Sequence, residues 1–295
     1  MHDTTYSHEH ELQEHDFLGC CLNCRRSLEI IKPHVLGFHE QIEGHTPEML
    51  AMLSQEELYR KYQALDDIAQ LSIGDRLGEL ILTDAEIAAV LPAVRGYYAE
   101  FFSIHEAHQA KEILAADDPW ALLESYPLFP RYEVLAETQG EAMGLSPDDT
   151  LAFVGCGALP LSLILMGRLF GARSIGLDID PAAVSLAERC IERLGLADVV
   201  SIVHGDESRL AELPFTGVLI AALAEPKRRI FRTLRTIMQA REVVPVVFRT
   251  YTGIRTVLYG PVEPGDYQGY TIVRQIEPSR RVNNTLVFLE MDADV

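Results

Sequence analysis

The residues from Thr150 to Asp180 constrain the fold more than any other stretch of the chain. A short apolar run, Leu151 to Val154, ends in a Gly-Cys-Gly turn; a helical apolar segment follows, and a second apolar run closes on Asp178. Strand, glycine turn, helix, strand and acidic residue, in that order, outline a nucleotide-binding βαβ unit. Asp178 lies 21 residues after Gly157, where a carboxylate can accept hydrogen bonds from two ribose hydroxyls. The segment therefore predicts a nucleoside site at one edge of a parallel sheet.

The glycine turn departs from the dinucleotide pattern. After Gly155, Cys156 and Gly157, the run Ala158-Leu159-Pro160 stands where a third glycine would favour a pyrophosphate. An adenosyl ligand without phosphates, such as S-adenosylmethionine, suits this loop better than NAD. We therefore predict that Gly155, Cys156, Gly157 and Pro160 contact that ligand, mainly through the backbone. Glycines that serve packing alone are the alternative.

The charge balance narrows the range of partners. The 295 residues include 25 basic and 44 acidic side chains, a formal net charge of -19. Such a surface repels phosphate backbones and anionic lipid, so we expect small-molecule substrates and neither nucleic acid nor membrane as a partner. The N-terminus lacks the features of a secretory signal, and five cysteines, an odd number, favour a reducing cytosol. We predict a cytoplasmic protein and leave a homodimer open.

Histidines and cysteines crowd the first 45 residues. Cys21 and Cys24 have the spacing that lets two thiolates share a zinc ion, but a second pair with metal-ligand spacing is missing from the sequence there. We favour a flexible His-rich tail over residues 1–16, followed by a helix that begins near Phe17, and predict no metal site. Whether the segment binds a metal is left open for His8, His10, His15, Cys20, Cys21 and Cys24.

Helical periodicity dominates residues 47–114. Helix starts are predicted at Thr46-Pro47-Glu48 and at Thr83-Asp84-Ala85-Glu86, the second as a capping box. Asp117-Asp118-Pro119 predicts the end of the last long helix, because proline disfavours helical geometry in the residue before it.

A segment rich in proline and aromatic residues follows, from Tyr126 to Tyr132, and we expect it to be packed but not helical. A further helix is predicted from Glu133 to Met143. These features predict an N-terminal helical cap domain over residues 1–147.

Residues 148–295 alternate between strand and helix patterns. Further strands are predicted at 199–204, 217–222, 243–249, 270–276 and 285–291. This pattern predicts a parallel sheet that ends in an antiparallel hairpin, the α/β, Rossmann-like fold of class I S-adenosylmethionine-dependent methyltransferases. Ligands of such sheets bind beyond the carboxyl ends of the strands, where Ile179, Asp206, Ala222 and Arg249 join the glycine turn and Asp178.

Three stretches resemble the nicotianamine synthase family, over about residues 98 to 290. VGCGALPLS, followed by DIDP at Asp178 to Pro181, is similar to the family's GSGPLPLT-like loop. FRTYTGIRTVLYGPVEP followed by QGY resembles RSxxGxRxFLYPxVxP followed by GF, and YPLFPRY resembles FPYYxNY. Ordinary methyltransferases lack the last two motifs.

The resemblance implies transfer of the 3-amino-3-carboxypropyl group of S-adenosylmethionine to an amine, with release of 5'-methylthioadenosine and formation of a metal-chelating metallophore. S-adenosylmethionine is then the aminobutyrate donor, and the acceptor is a second aminobutyrate unit or a free amino acid such as histidine. The number of transfers and the closure of an azetidine ring stay open.

The resemblance also implies two catalytic residues: a glutamate on the long helix, matched to Glu106 with Glu100 as the fallback, and a tyrosine, matched to Tyr132 with Tyr126 as the alternative. Glu106 interrupts an apolar helical stripe, so partial burial is expected to raise its pKa. Arg249 is predicted to hold a substrate carboxylate, with an ion pair inside the protein as the alternative, and Tyr126 is a second candidate for substrate binding.

Asp178 is predicted to accept hydrogen bonds from the ribose hydroxyls. The resemblance to methyltransferases implies that Asp206 contacts the adenine amino group. Two other functions stay open on sequence grounds. One is a small-molecule methyltransferase that shares the donor site, and the other is a non-catalytic metal or nucleoside sensor.

Overall fold

A helical region precedes a seven-stranded sheet in the computed structural model, which describes residues 22–71, 75–241, 243–279 and 282–292. The helices are α1 (Leu22–Ile42), α2 (Pro47–Ala51), α3 (Gln55–Ala69), α4 (Asp75–Thr83), α5 (Ala85–Ala115), α6 (Pro119–Glu124), α7 (Phe129–Met143), α8 (Leu161–Phe170), α9 (Pro181–Arg193) and α10 (Lys227–Gln239). The strands are β1 (Thr150–Val154), β2 (Arg173–Asp178), β3 (Val200–His204), β4 (Gly217–Ile220), β5 (Val246–Thr250), β6 (Tyr270–Ile276) and β7 (Thr285–Met291), and 3₁₀ helices span Glu207–Glu212 and Gly253–Val257.

The sheet has the strand order β3-β2-β1-β4-β5-β7-β6. Strands β1 to β5 are parallel, and β7 runs antiparallel to both β5 and β6. The strand order reverses between β1 and β4, and sheets of this type bind ligands at such a reversal. The predicted fold class is confirmed, including the closing antiparallel hairpin.

Two apolar cores flank the sheet. One is continuous from the N-terminal helices to one sheet face, through Phe101, Leu151 and Leu163, and the other lies on the opposite face under α10. Helix α5 packs on α9, and α7 packs on α8. A division into domains at residues 147 and 148 stays a prediction: the helical region ends at Met143 and β1 begins at Thr150, but the first core spans both regions.

Several predicted boundaries are wrong, each for a local reason. Helix α7 begins at Phe129, four residues before the predicted Glu133, because Pro130 occupies the first turn, where a missing N–H costs nothing. The side chain that caps α5 is Asp84, which accepts from Glu86 N and Ile87 N, and the predicted Thr83 instead ends α4.

Two further differences follow from proline positions. Asp118 does not simply end a helix but caps α6, whose first residue is Pro119. Strand β5 starts at Val246, three residues later than predicted, directly after Pro245, which has no N–H for the ladder.

Within the described ranges, no helix is both long and apolar enough to cross a membrane, and no group of three or more His, Cys, Asp or Glu side chains is arranged to hold a metal ion. The N-terminal histidine and cysteine side chains up to Cys24 lie outside the described ones.

Candidate active site

A cavity of about 860 Å³ opens at the carboxyl edge of the sheet, between the strand ends and helix α5. Ten of the predicted site residues line it: Glu106, Tyr132, Gly155, Cys156, Gly157, Asp178, Ile179, Asp206, Ala222 and Arg249. Residues far apart in sequence thus meet around one space, because the carboxyl ends of parallel strands share an edge.

The glycine turn and the acidic residue after β2 are tied together. Gly155 N and Cys156 N both donate to Leu177 O, at 2.8 and 3.0 Å. Gly157 N donates to Asp178 Oδ2 at 2.8 Å, and Asp180 N donates to Asp178 Oδ1 at 3.0 Å. Each carboxylate oxygen keeps a further acceptor site, so Asp178 can hold the loop and still receive hydroxyl groups of a ligand.

Both glycines of the turn are required by their surroundings. Gly155 has φ +82°, and a Cβ there would lie 2.8 Å from Ala224 Cβ. Gly157 has φ +71°, and a Cβ there would lie 2.5 Å from Glu106 Oε2. The short distance at Gly157 shows that the Glu106 carboxylate lies directly against the glycine turn.

Glu106 projects from α5 toward the cavity, and its Oε1 accepts from Tyr132 Oη at 3.4 Å. Burial, with a smaller contribution from the Asp178 charge, raises the pKa of Glu106 to about 8, although the Tyr132 hydrogen bond opposes the shift. Burial also raises the pKa of Tyr132 well above its ordinary value, so this hydroxyl stays a donor at neutral pH. A carboxyl that titrates near neutrality suits proton transfer.

The opposite face of α5 fixes the position of this carboxylate. Phe101 stacks on Tyr62 of α3 with ring centroids 4.2 Å apart, and Tyr97 Oη donates to Leu58 O at 2.8 Å. His105 Nδ1 bonds Gln55 Oε1 at 2.8 Å, and burial lowers the His105 pKa to about 4, so the ring is neutral. These contacts make His105 a packing residue of α5.

Arg249 is buried at the end of β5. Its Nη1 donates to Ser162 Oγ at 3.0 Å and its Nη2 to Gln139 Oε1 at 2.7 Å, and the guanidinium lies 5.3 Å from the Phe153 ring centroid. Burial lowers the Arg249 pKa to about 10, which still leaves the group charged at neutral pH. Among the described residues it has no acidic partner, and its Nε has no hydrogen bond. The ion pair that was the alternative for Arg249 is thus absent from the part of the chain that the structure describes.

The other end of the cavity is suited to a planar apolar ring. Ile179 is 64% exposed although it is a large aliphatic residue, and it lines the cavity. Asp206 follows β3, and its Oδ1 accepts from the Ser208 N–H and hydroxyl, which hold the pKa of this carboxyl below its usual value. An apolar surface beside a carboxylate acceptor can receive a heterocycle that carries an amino group.

Comparison with known proteins decides the family. The family model described as nicotianamine synthase protein matches residues 72–294. The chain belongs to the nicotianamine synthase family. MtNAS, crystallised as a glutamate-to-glutamine variant in complex with S-adenosylmethionine, matches with a TM-score of 0.81 and 29% identity, over 93% of this chain and 100% of that one. A second MtNAS structure, in complex with MTA and tNA, matches equally well.

The similar curated proteins include two types of enzyme. An L-histidine 2-aminobutanoyltransferase of Pseudomonas aeruginosa is 31% identical, over 52% of this chain and 59% of that protein. Nicotianamine synthase 3 of Arabidopsis thaliana is 28% identical, over 58% of this chain and 57% of that protein. The matched part thus spans less than two thirds of the length of these relatives.

Two predicted site residues do not line the cavity of this family member. Tyr126 is 2% exposed and packs on His105 with tilted rings, whose centroids are 5.5 Å apart, so the geometry does not support its predicted contact with substrate. Pro160 instead caps α8, and its carbonyl accepts from Leu163 N and Ile164 N. Glu100, the fallback for Glu106, does line the cavity.

Sequence reasoning missed two residues at the same edge. Lys227 is 3% exposed, and its Nζ donates to Ala222 O at 2.9 Å and to Ala224 O, so it holds the loop after β4; burial lowers its pKa. Asn284 lines the cavity directly before β7. The predicted hairpin pairs the last two strands with each other and gave no signal for Asn284; the structure adds that β7 lies beside β5, where Thr285 pairs with Thr250.

Proposed function

We propose that the protein transfers the 3-amino-3-carboxypropyl group of S-adenosylmethionine to an amine, releasing 5'-methylthioadenosine and making a metal-chelating metallophore. The observation that carries the proposal is a carboxylate of raised pKa, Glu106, held against the Gly157 loop beside the Tyr132 hydroxyl. Family membership and the names of the matched enzymes support the same reaction.

The donor's adenosine end occupies the side of the cavity under β2 and β3. Asp178 accepts from the ribose hydroxyls, Asp206 accepts from the adenine amino group, and Ile179 packs on the base. Gly157 lets the Glu106 carboxylate approach the loop, since a Cβ there would lie 2.5 Å from Glu106 Oε2.

The reaction is a displacement at carbon. The amine nitrogen of the acceptor attacks the γ-carbon of the methionine arm, the carbon–sulfur bond breaks, and the sulfur keeps the electron pair as a neutral thioether. The sulfonium activates all three of its carbons, so the protein's contribution is to orient one of them toward the nucleophile and to remove a proton from nitrogen.

Glu106 takes that proton. The α-ammonium group of a peptide has a pKa of about 8, and that of a free amino acid is higher because a carboxylate lies beside it. Glu106, with a pKa of about 8, is therefore much closer in proton affinity to the acceptor amine than a carboxyl of ordinary pKa. Tyr132 donates to the carboxylate and keeps it directed at the nucleophile. A carboxylate with its ordinary pKa would be a weaker base by several factors of ten.

The acceptor is an amine that also carries a carboxylate, and Arg249 supplies the charge to bind it. The guanidinium is buried and charged and lacks an acidic partner in the described part of the chain, so a ligand carboxylate would remove an unfavourable arrangement. Free histidine and a second aminobutyrate unit both fit this requirement.

Mass spectrometry of reactions with S-adenosylmethionine, with and without L-histidine, tests the proposal. The proposal predicts 5'-methylthioadenosine as the spent nucleoside and an acceptor heavier by one aminobutyrate unit. S-adenosylhomocysteine as the spent nucleoside would identify a methyltransferase and refute the proposal.

Glu106→Gln tests the assignment of the base in the same assay, because it preserves shape and removes basicity. We expect turnover to fall by about 10²-fold or more with donor binding retained. Glu100→Gln is the matched control on the same helix and the same cavity wall. A greater loss with Glu100→Gln would move the base to Glu100.

Location in the cytosol and association into a homodimer stay predictions from the sequence. Cell fractionation and analytical ultracentrifugation test them.

A further inference from the structure

A polar network lies behind the base and the hydroxyl that the proposed reaction uses. Asp66 on α3 accepts from Arg131, at 2.8 Å from Nη1 to Oδ1 and at 2.5 Å from Nη2 to Oδ2. Its Oδ1 also accepts from Asn283 Nδ2 at 2.6 Å and from Tyr62 Oη at 3.4 Å. None of these four residues lines the cavity. Any part that they have in the reaction is therefore exerted through residues that do.

The first turn of α7 carries Tyr132 but has no capping side chain. Leu128, at the N-cap, makes no side-chain hydrogen bond to the turn, and Phe129 packs the turn on the core, where it is 6% exposed. Apolar packing is non-directional, whereas a bidentate bond between a guanidinium and a carboxylate fixes both distance and angle. Because Arg131 directly precedes Tyr132, its two hydrogen bonds to Asp66 fix the rotation of the turn that aims the Tyr132 hydroxyl.

Tyr62 connects the same network to α5. Its hydroxyl accepts from Arg131 Nη1 at 2.5 Å, and its ring stacks on Phe101 at 4.2 Å and meets Phe102 edge-on at 5.7 Å between centroids. Phe102 lies one helical turn before Glu106, on the same side of α5. The network therefore sets the spacing between the carboxylate on α5 and the hydroxyl on α7.

We propose that Asp66 is a positioning residue for the reaction, which acts through Arg131 to hold the Tyr132 hydroxyl against the Glu106 carboxylate. The proposal rests on the proposed function, in which Glu106 removes a proton from the acceptor amine. The contact that it explains is 3.4 Å from Tyr132 Oη to Glu106 Oε1, which is long for a hydrogen bond between oxygens. A small rotation of α7 would break it.

Loss of this contact has a defined electrostatic signature. Burial raises the pKa of Glu106 to about 8, and the Tyr132 hydrogen bond opposes that shift because it stabilises the ionised carboxylate. Without the hydrogen bond, the pKa of Glu106 rises further. The other titratable groups that interact with this carboxyl are Asp178, Cys156 and Tyr126, and the network contains none of them.

Carbon NMR of the side-chain carboxyl groups measures the pKa of Glu106 without turnover. Protein labelled with ¹³C at the glutamate carboxyls is titrated, and the Glu106 signal is assigned by its absence from Glu106→Gln. In Asp66→Asn, this pKa is expected to rise by about half a unit or more. An unchanged pKa overturns the proposal, and so does a fall, which would report only the unmasked charge of Arg131.

Steady-state kinetics test the same step in the reaction. In Asp66→Asn, kcat at pH 7 should fall about tenfold or more, with KM for S-adenosylmethionine within about twofold, because the network does not contact the donor. Tyr132→Phe removes the hydroxyl itself, so adding Asp66→Asn to it should reduce kcat by at most about twofold more. Losses that multiply would show that Asp66 does not act through Tyr132 and would overturn the proposal.

Two further variants complete the test. Arg131→Gln removes the other partner and should reproduce the rise in the pKa of Glu106, which provides a second test if Asp66→Asn folds poorly. Ile68→Val is the control, because it removes a buried methyl group from α3 and leaves the network intact. Its kcat and its Glu106 pKa should equal those of the unmodified protein, and equal losses in Ile68→Val and Asp66→Asn would contradict the proposal.

The outcome is distinguishable from a failure of the proposed function. That function fails if the unmodified protein releases S-adenosylhomocysteine in place of 5'-methylthioadenosine. The positioning role fails if the unmodified protein releases 5'-methylthioadenosine while Asp66→Asn leaves kcat and the pKa of Glu106 unchanged.

Discussion

Replacing Glu106 by glutamine should stabilise the protein, and the gain should grow with pH. The pKa of Glu106 is raised from 4.5 to about 8 in the folded chain, so folding favours the protonated form. Below pH 4.5 both states are protonated and the carboxyl costs nothing. As pH rises from 4.5 to 8, the unfolded chain ionises first and the folded state loses stability relative to it.

The magnitude follows from linkage. With these two pKa values, the carboxyl lowers the free energy of unfolding by about 1 kcal/mol at pH 5.5 and about 3 kcal/mol at pH 7. The difference, about 2 kcal/mol, is an upper limit, because water in the cavity solvates the partly exposed carboxylate. With an entropy of unfolding near 2.1 cal/mol/K per residue, it corresponds to a shift of about 3 °C in melting temperature.

Differential scanning calorimetry at pH 5.5 and pH 7 measures this quantity. The melting temperature of Glu106→Gln minus that of the unmodified protein should be larger at pH 7 by up to about 3 °C. Glu137→Gln removes the same charge from an exposed position of α7 and reports the effect of net charge alone. A stability gain in Glu106→Gln that is independent of pH, or that matches the Glu137→Gln gain, would refute the reasoning.

Three other substitutions have defined outcomes. Gly157→Ala should abolish turnover, because its Cβ would displace the Glu106 carboxylate, whose Oε2 lies 2.5 Å away. Gly144→Ala is the control: Gly144 also has a positive φ but open space around it, so the variant should lose only about 1 kcal/mol of stability. Equal activity of the two variants by product chromatography contradicts this. Asp178→Asn should weaken 5'-methylthioadenosine about tenfold or more in calorimetry, and unchanged affinity would remove Asp178 from the ribose. Asp66→Asn should lower the free energy of unfolding by about 2 kcal/mol, because it leaves the Arg131 charge partly buried without its bidentate partner; urea denaturation measures it, and a change below 0.5 kcal/mol would be inconsistent with the ion pair.

Most of the sheet followed from local patterns in the sequence. Apolar runs that end in Gly155 or Asp178 identify strands and the edge where a ligand binds, because parallel strands put their carboxyl ends together. The closing hairpin followed from two strands without a helix between them. Helix boundaries near prolines were harder to predict. Pro130 lies in the first turn of α7, and a proline in the sequence is compatible with either the end or the start of a helix.

Only part of the site was predictable, because local patterns do not show how distant elements pack on each other. Gly155 and Asp178 have local signals, but the proximity of Glu106 to Gly157 depends on how α5 packs over the sheet, and the placement of Glu106 relied on the family resemblance. The hydrogen bond between Asn283 and Asp66 joins residues more than 200 positions apart. Periodicity and spacing carry no information about such contacts.

The path of two labels on one donor tests the central claim most directly. S-adenosylmethionine labelled with ³H in the methyl group and ¹⁴C in the carboxyl group is incubated with the protein and an acceptor amine, and the product is separated from the nucleoside. The account predicts ¹⁴C in the product and ³H in the nucleoside, because the methyl group stays on sulfur. Transfer of ³H to the acceptor, with ¹⁴C left on the nucleoside, would contradict it.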